Sequence, residues 1–271
     1  MKKILALILA VMMLTCLFAG CNKAETKTDY AASVSGANVV AEAGSAGEEL
    51  ATGDEFFKEA TFTPVDSMAK ALMEVSAGTA DLAIVDYVTS IGSIGEGTDF
   101  ADLKVVEGKD FSPEEYGIAF RKGSDATNAV NAAIAELAAD GTLDAIAAKY
   151  KLDALIIKDG IPNETEVTEG DLAYIKEKGE LVIGMTLFAP MNYYNDANEL
   201  VGFETEFAEA VCAKLGVKAK FVEIDWSAKE IELASKNIDC IWNGMTITEE
   251  RKANMSISVP YMQNKQVMVS K

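Results

Sequence analysis

Short apolar runs alternate with helical stretches twice along this chain, and that alternation constrains the fold more than any other feature. In the first round, "NVVAEAGSAGEEL" (38–50) reads as a strand, a glycine turn and a helix start. "DSMAKALMEVSAG" (66–78) reads as a helix, with Met68, Ala71, Leu72 and Val75 on one face. Asp66 is placed to cap its start and Gly78 its end. "DLAIVD" (81–86), "LKVVE" (103–107) and "YGIAF" (116–120) read as strands, and "SDATNAVNAAIAELAADG" (124–141) keeps apolar residues at strict helical spacing. Residues 143–150 form its partner helix. "KDGIPNETEVTEGD" (158–171) is polar, acidic and broken by Gly and Pro, as a linker is. The second round follows: strands at "LVIGM", "KFVEI", "IDCIW" and "KQVMVS", with helices over 202–216 and 227–237. Alternation on both sides of a linker predicts α/β sheets covered by helices.

Composition narrows the function. The chain has 271 residues, about half of them apolar, enough for one large or two small cores. Its 43 acidic residues outnumber 24 basic ones, for a net charge of −19, which repels phosphate backbones and argues against nucleic acid as a partner. There is no histidine, and the four cysteines show no close pairing, so no metal site, cofactor or histidine-based triad is expected. Cys212 and Cys240 are isolated in apolar surroundings and read as core residues.

Lys2 and Lys3 precede "ILALILAVMMLTCLFAG", 17 uncharged residues. That run is short of the ~20 a spanning helix needs and ends in small residues, as a cleaved export signal over residues 1–20 does. "LFAGC" resembles a bacterial lipobox, which makes Cys21 the acylated residue and residues 21–36 a polar tether. The expectation is an exported protein held outside the cytoplasm, touching the membrane through lipid alone.

One internal similarity bears on where a ligand would sit. "EVSAGTADLAIVD" (74–86) aligns without gaps on "ELASKNIDCIWNG" (232–244). Each is a helix end, a turn, an Asp and an apolar strand, closing on Asp86 and Gly244. Ligands of open α/β sheets collect beyond the carboxyl ends of strands, so both units can present groups to one shared cleft.

"NGMTITEERKANMSISVPYM" (243–262) resembles the most specific motif of the polar amino-acid solute-binding proteins of ABC importers. "VVAEAGSAGEE" (39–49), "AGTADLAIVDYVTS" (77–90) and "YGIAFRKGSDATNAVNAAIAELAADGTLDAIAAKY" (116–150) resemble that family's later segments. The order is exchanged: family members begin with segments like 172–271 and end with segments like 37–152. The resemblance therefore implies a two-lobed α/β, periplasmic-binding-protein-like fold of type II, circularly permuted, with the ligand cleft between lobes. One lobe is expected over 37–118, the other over 119–152 plus 172–271, with 153–171 joining the family's usual termini. One covalent crossing between lobes is expected, near 114–124.

The resemblance also implies a free amino acid as ligand, permease subunits of an ABC transporter as partners, and a monomer without catalytic activity. Arg251, five residues after Thr246, matches the family's carboxylate clamp, and a planar guanidinium suits two oxygens at once. Backbone N–H groups at Thr246, Ser45 and Ala46 complete the cradle, beside Gly244 in the same turn. Asp86 matches the amino-group aspartate; read from its residues alone, it is equally an N-cap. Phe188 and Trp226 match the aromatic pair around the ligand side chain, and ordinary core packing is the rival for both. Asn243 and Glu42 lie beside matched positions and could read the side-chain tip. Two other readings stand: an enzyme on the same scaffold, dehydratase- or lyase-like, with Glu42 as general acid or base, and a sensor that signals occupancy to a receptor.

Overall fold

Two mixed sheets carry the molecule, and in both the parallel strands end toward the same seam. The computed structural model describes residues 28–159 and 166–271; the expected export signal and Cys21 lie outside them. Residues Ala31–Lys271 form one compact unit. No helix among the described residues is long and apolar enough to cross a membrane.

The strands in chain order are β1 Asn38–Glu42, β2 Thr61–Val65, β3 Leu82–Asp86, β4 Lys104–Val105, β5 Pro113–Tyr116, β6 Ala119–Arg121, β7 Glu180–Met185, β8 Tyr193–Tyr194, β9 Leu200–Val201, β10 Lys218–Glu223, β11 Cys240–Ile241, β12 Met255–Ile257 and β13 Met262–Ser270. The first sheet runs β2-β1-β3-β13-β4, with β5 also paired to β13; the second runs β10-β7-β11-β6-β12. β8 and β9 form a small ribbon. The helices are α1 Ala46–Gly53, α2 Met68–Ala77, α3 Tyr87–Ser93, α4 Ala126–Ala139, α5 Thr142–Lys149, α6 Asp171–Lys178, α7 Phe203–Leu215, α8 Lys229–Ala234 and α9 Glu249–Asn254.

Local chemistry sets the ends of these elements. α2 buries Met68, Ala71, Leu72 and Val75 as expected, and Gly78 closes it at φ 76°. Its cap is Ser67, whose hydroxyl accepts from Lys70 N at 3.1 Å, and not Asp66. The helix expected over 227–237 is a 3-10 turn followed by the shorter α8.

Two expectations about the connection between halves are overturned. "YGIAF" is not one strand: Tyr116 ends β5 in the first sheet and Ala119 begins β6 in the second. Residues 262–271, expected with the 172–261 segment, leave it: β13 pairs with β3, β4 and β5 in the first sheet. The chain therefore crosses between sheets twice, at 116–119 and at 257–262, where one covalent crossing was expected. The physical reason is backbone pairing. β13 is nine residues long and places Gln266 opposite Asp86 and Met262 opposite Tyr116, satisfying the open edges of β3 and β5. β6 and β12 pair in the same way on the other side, with Ile257 opposite Ala119.

The register brings two distant residues near each other. Val39 lies opposite Leu82, and Val269 opposite Ala83. Asn38 and Lys271 thus flank Asp81 from either side, two strand spacings or about 10 Å apart. The expected linker is held at both described flanks. Ile157 N donates to Tyr261 O at 2.9 Å, and Thr168 N to Gly123 O at 2.9 Å. Cys212 and Cys240 are free and buried, as their surroundings suggested.

Candidate ligand-binding cleft

The seam between the sheets is built from strand ends. β1 delivers Glu42 and β3 delivers Asp86; from the other side β7 leads to Thr186, and β11 leads through Trp242 to Asn243 and Gly244. All six of the residues from Glu42 to Gly244 on this list are buried or enclosed, and the two halves touch. An added Cβ on Gly44 would lie 2.8 Å from Ser227 Cα, and one on Gly92 would lie 2.7 Å from the Pro190 ring.

Arg251, on α9, is 4% exposed. Its Nη1 donates to Thr246 O at 2.8 Å, and its Nη2 reaches Glu49 Oε1 at 2.7 Å and Gly44 O at 3.5 Å, both in the opposite half. Thr246 Oγ1 donates to Glu114 Oε2 at 3.1 Å. The same Glu114 oxygen accepts from Asn264 Nδ2 and Gln266 Nε2, each at 3.0 Å. Those two amides also donate to Asp86 Oδ1, and Tyr116 OH donates to Asp86 Oδ2 at 2.7 Å. One hydrogen-bonded path thus runs from Arg251 to Asp86 through Thr246, Glu114 and two amides. Asp86 begins α3 but makes no side-chain cap bond, so the capping role is not the one it plays. Burial, and then Glu114, push its carboxyl up to about 7.

Ser45 caps α1: its Oγ accepts from Glu48 N at 3.2 Å, while Glu48 Oε2 accepts from Gly44 N at 2.6 Å. The first backbone bond of this helix is Glu49 N to Ser45 O, so the amide of Ala46 precedes the intrahelical ladder. Gly244 adopts φ 54°, and a Cβ there would sit 2.9 Å from the Phe188 ring. Phe188 and Trp226 are both 4% exposed; Lys229 Nζ lies 5.0 Å from the Trp226 ring centroid.

Asn243, expected beside the ligand's side-chain tip, is committed elsewhere. Its Oδ1 accepts from Thr186 N and Oγ1, and its Nδ2 donates to Thr186 O and Asn192 Oδ1. It fixes the loop after β7. Glu42 is 2% exposed; burial, then Asp86, push its carboxyl up to about 8, against the opposing charge of Lys229.

Sequence reasoning missed four charged groups here. Glu114 joins the Arg251 and Asp86 ends of the network. Glu204 is fully buried on α7, accepts from Gly244 N at 2.9 Å and from Tyr261 OH, and is pushed up to about 7 by burial. Lys229 Nζ crosses the seam to Gly44 O at 2.8 Å, and burial brings it down to about 8. Glu49 takes one face of Arg251. None has a local sequence signal, because each sits among charged neighbours on a helix or strand that reads as solvent-facing.

Comparison with known proteins bears on this seam. Residues 181–271 match the profile of bacterial extracellular solute-binding proteins, family 3. The L-cystine-binding protein TcyJ of Escherichia coli (strain K12) is 35% identical over 109 residues, 40% of this chain and 41% of that protein. The arginine-binding extracellular protein ArtP of Bacillus subtilis (strain 168) is 31% identical over 94 residues, 35% of this chain and 37% of that protein. The arginine-bound form of a truncated ArgBP from T. maritima is 36% identical over 30% of this chain and 39% of that one, with a TM-score of 0.29. The chain thus spans about two fifths of the length of the curated relatives it matches. Residues 181–271 are thus similar to the bacterial extracellular solute-binding proteins, family 3, and the relatives matched are named as amino-acid-binding proteins.

Proposed function

We propose that the protein captures a free amino acid between its two sheets and hands it to an ABC importer. The observation that carries this reading is the buried path from Arg251 to Asp86, a cation and an acid contributed by opposite halves. A zwitterion needs a donor set for its carboxylate and an acid for its ammonium. Arg251, Thr246 and the Ala46 amide supply the first, and Asp86 supplies the second. Glu49 and Glu114 take the donors of Arg251 and Thr246, and a ligand carboxylate would displace them. Phe188 and Trp226 would border the ligand side chain, with Gly244 and Ser45 shaping the turns around it. Relatives named as amino-acid-binding proteins support the ligand class. The enzyme reading loses ground because Glu42, its general acid or base, adjoins a site that can satisfy a whole amino acid without reacting it.

Export as a lipoprotein anchored at Cys21 completes this reading, as does a monomer engaging permease subunits. So does circular permutation: the segment order 37–152 then 172–271 reverses the family's. The supporting geometry is the closeness of Asn38 and Lys271 around Asp81. Native mass spectrometry of gently purified protein, followed by calorimetric titration with twenty amino acids, tests the function. Recovery of one unaltered amino acid that also gives saturable heat is expected. A chemically altered amino acid, or no heat with any of the twenty, would sink it.

A further inference from the structure

One buried acid has no part in the contacts proposed for the ligand, yet it holds the turn that makes them. Glu204 stands in the first turn of α7 and is fully buried, as are Phe203 and Phe207 on the same helix. Gly244 N donates to both its oxygens, at 2.9 and 3.1 Å, and Tyr261 OH donates to Oε1. Gly244 opens the turn that runs to Arg251, and its left-handed φ of 54° places it against the Phe188 and Tyr116 rings, where a Cβ would not fit. The rest of the turn is pinned in sequence. Gly117 N donates to Met245 O at 3.0 Å, Ile247 N to Glu115 O at 2.8 Å, and Thr248 Oγ1 accepts from Arg251 N at 3.2 Å. Tyr261 belongs to the second crossing, where its N donates to Tyr116 O at 3.0 Å. Glu204 therefore ties α7 both to the start of the Thr246–Arg251 turn and to a crossing strand.

The bonds it receives fall short of what a buried charge asks for. A carboxylate offers about four acceptor sites, and among the described residues two donors converge on this one. The titratable groups that face it are Tyr261 ahead of β13, Tyr116 on β5 and Asp86 on β3, and none is a cation. The other elements against α7 spend their charges elsewhere. Glu136 and Asp140 at the end of α4 pair with Lys214, Lys149 of α5 pairs with Glu206, and Lys220 of β10 pairs with Glu180. Burial pushes the Glu204 carboxyl up to about 7, against the bonds from Tyr261 and Gly244, and Asp86 adds to the rise.

We propose that Glu204 is a positioning residue whose ionised form holds the Gly244 turn, and with it Thr246 and Arg251, ready for an amino-acid carboxylate. Capture is then switched by a proton on a group that touches no ligand. The inference rests on the amino-acid reading above and adds the response of that site to pH. Protonation removes one acceptor oxygen and the charge, and a charge-assisted hydrogen bond is roughly twice as strong as a neutral one. The turn is held less firmly, so binding weakens as pH falls through about 7. By reciprocity, a ligand that needs the held turn favours the ionised form and releases the proton. Asp86 gives the same sign by direct contact and also lies at about 7, so variants must separate the two groups.

The test is calorimetric titration of the full chain with each of the twenty amino acids at pH 8, then with the tightest binder down to pH 5.5. In the unaltered protein Kd should rise as pH falls, with protons released on binding. E204Q carries a neutral side chain of the same shape. It should bind about five- to tenfold more weakly than the unaltered protein at pH 8, match it within about twofold at pH 5.5, and release fewer protons. Y261F keeps the carboxylate but removes a bond that opposes its protonation, so the Glu204 step should remain and move to higher pH. E204Q binding as tightly as the unaltered protein at pH 8, or more weakly by one factor at every pH, overturns the proposal and leaves the amino-acid reading standing. So does a Y261F step that stays in place, and that profile decides alone if E204Q fails to fold. Absence of heat with all twenty amino acids sinks both.

Discussion

Gly92→Ala should separate folding from closure. Gly92 lies within α3, at a backbone conformation any residue can adopt, and alanine is favoured over glycine in helices by about 0.5–1 kcal/mol. Seen from its own half, the substitution is neutral or stabilising. Across the seam the new Cβ would lie 2.7 Å from both Pro190 Cδ and Pro190 N, and 2.9 Å from Ala189 C. Ordinary contact needs 3.4 Å or more, so the backbone of the other half would have to retreat by most of an ångström. Overpacking of this kind costs about 1–3 kcal/mol, and it is felt only when the halves meet. If ligand binds the closed form, that cost appears as a rise in Kd of about five- to 150-fold. The measurements are thermal unfolding of the ligand-free protein, calorimetric Kd for the bound amino acid, and small-angle scattering with and without it. Expected are an unchanged or higher Tm, a weaker Kd and a smaller compaction on binding. An unchanged Kd would refute the argument that these two surfaces meet when ligand is held.

Arg251→Ala should weaken binding about ten- to a thousandfold, since hydrogen bonds to charged groups contribute ~1.5–3 kcal/mol each and a guanidinium can make two; wild-type affinity by calorimetry would misplace the site. Asp86→Asn keeps the side-chain shape and removes a charge that burial disfavours, so it should weaken binding more than tenfold while raising the ligand-free Tm. Stability of the ligand-free protein should fall as pH rises from about 4.5 to about 8: Asp86, Glu204 and Glu42 have folded values of about 7, 7 and 8, above their unfolded values, so the folded state holds more protons in that window. Glu204→Gln should flatten part of that slope, and a Tm that climbs with pH over the same range would contradict the burial of these groups. Cys21→Ser should release the protein from membranes or leave an uncleaved precursor, read by fractionation and intact mass.

The fold was legible where burial has a period, and illegible where only a partner decides. β1, β3 and β7 fall where apolar runs predicted them, and α2 and α4 begin within two residues of expectation, because a strand end or a helix face is written in adjacent residues. "YGIAF" reads as one strand since every residue in it is buried. Nothing local says that Tyr116 pairs with Met262 while Ala119 pairs with Ile257. The same limit hid the second crossing. "KQVMVS" reads equally well as a strand of either half, and its membership is decided by the open edge of β3. The site divides along the same line. Arg251 and Asp86 are candidates read from a motif and a strand end, and a hydrogen-bonded path joins them. Glu204 stands in the first turn of a helix, where an acid ordinarily serves the helix dipole at the surface. It is buried only because Gly244 and Tyr261, 40 and 57 residues away, close over it.

The double crossing lies beside the candidate site. Tyr116, Asn264 and Gln266 lie on the two strands that leave the first sheet side by side, and all three donate to Asp86. Glu114, on the same strand as Tyr116, receives Thr246 from the other half. A ligand ammonium arriving at Asp86 would therefore compete with donors whose backbones define the crossing, and a ligand carboxylate at Thr246 would release Glu114 from the same strand. Binding and the geometry of the crossing would then share one set of hydrogen bonds. Two paired strands also resist twisting more than one connection does, so the halves should open along a restricted path and lose little orientational freedom on closing.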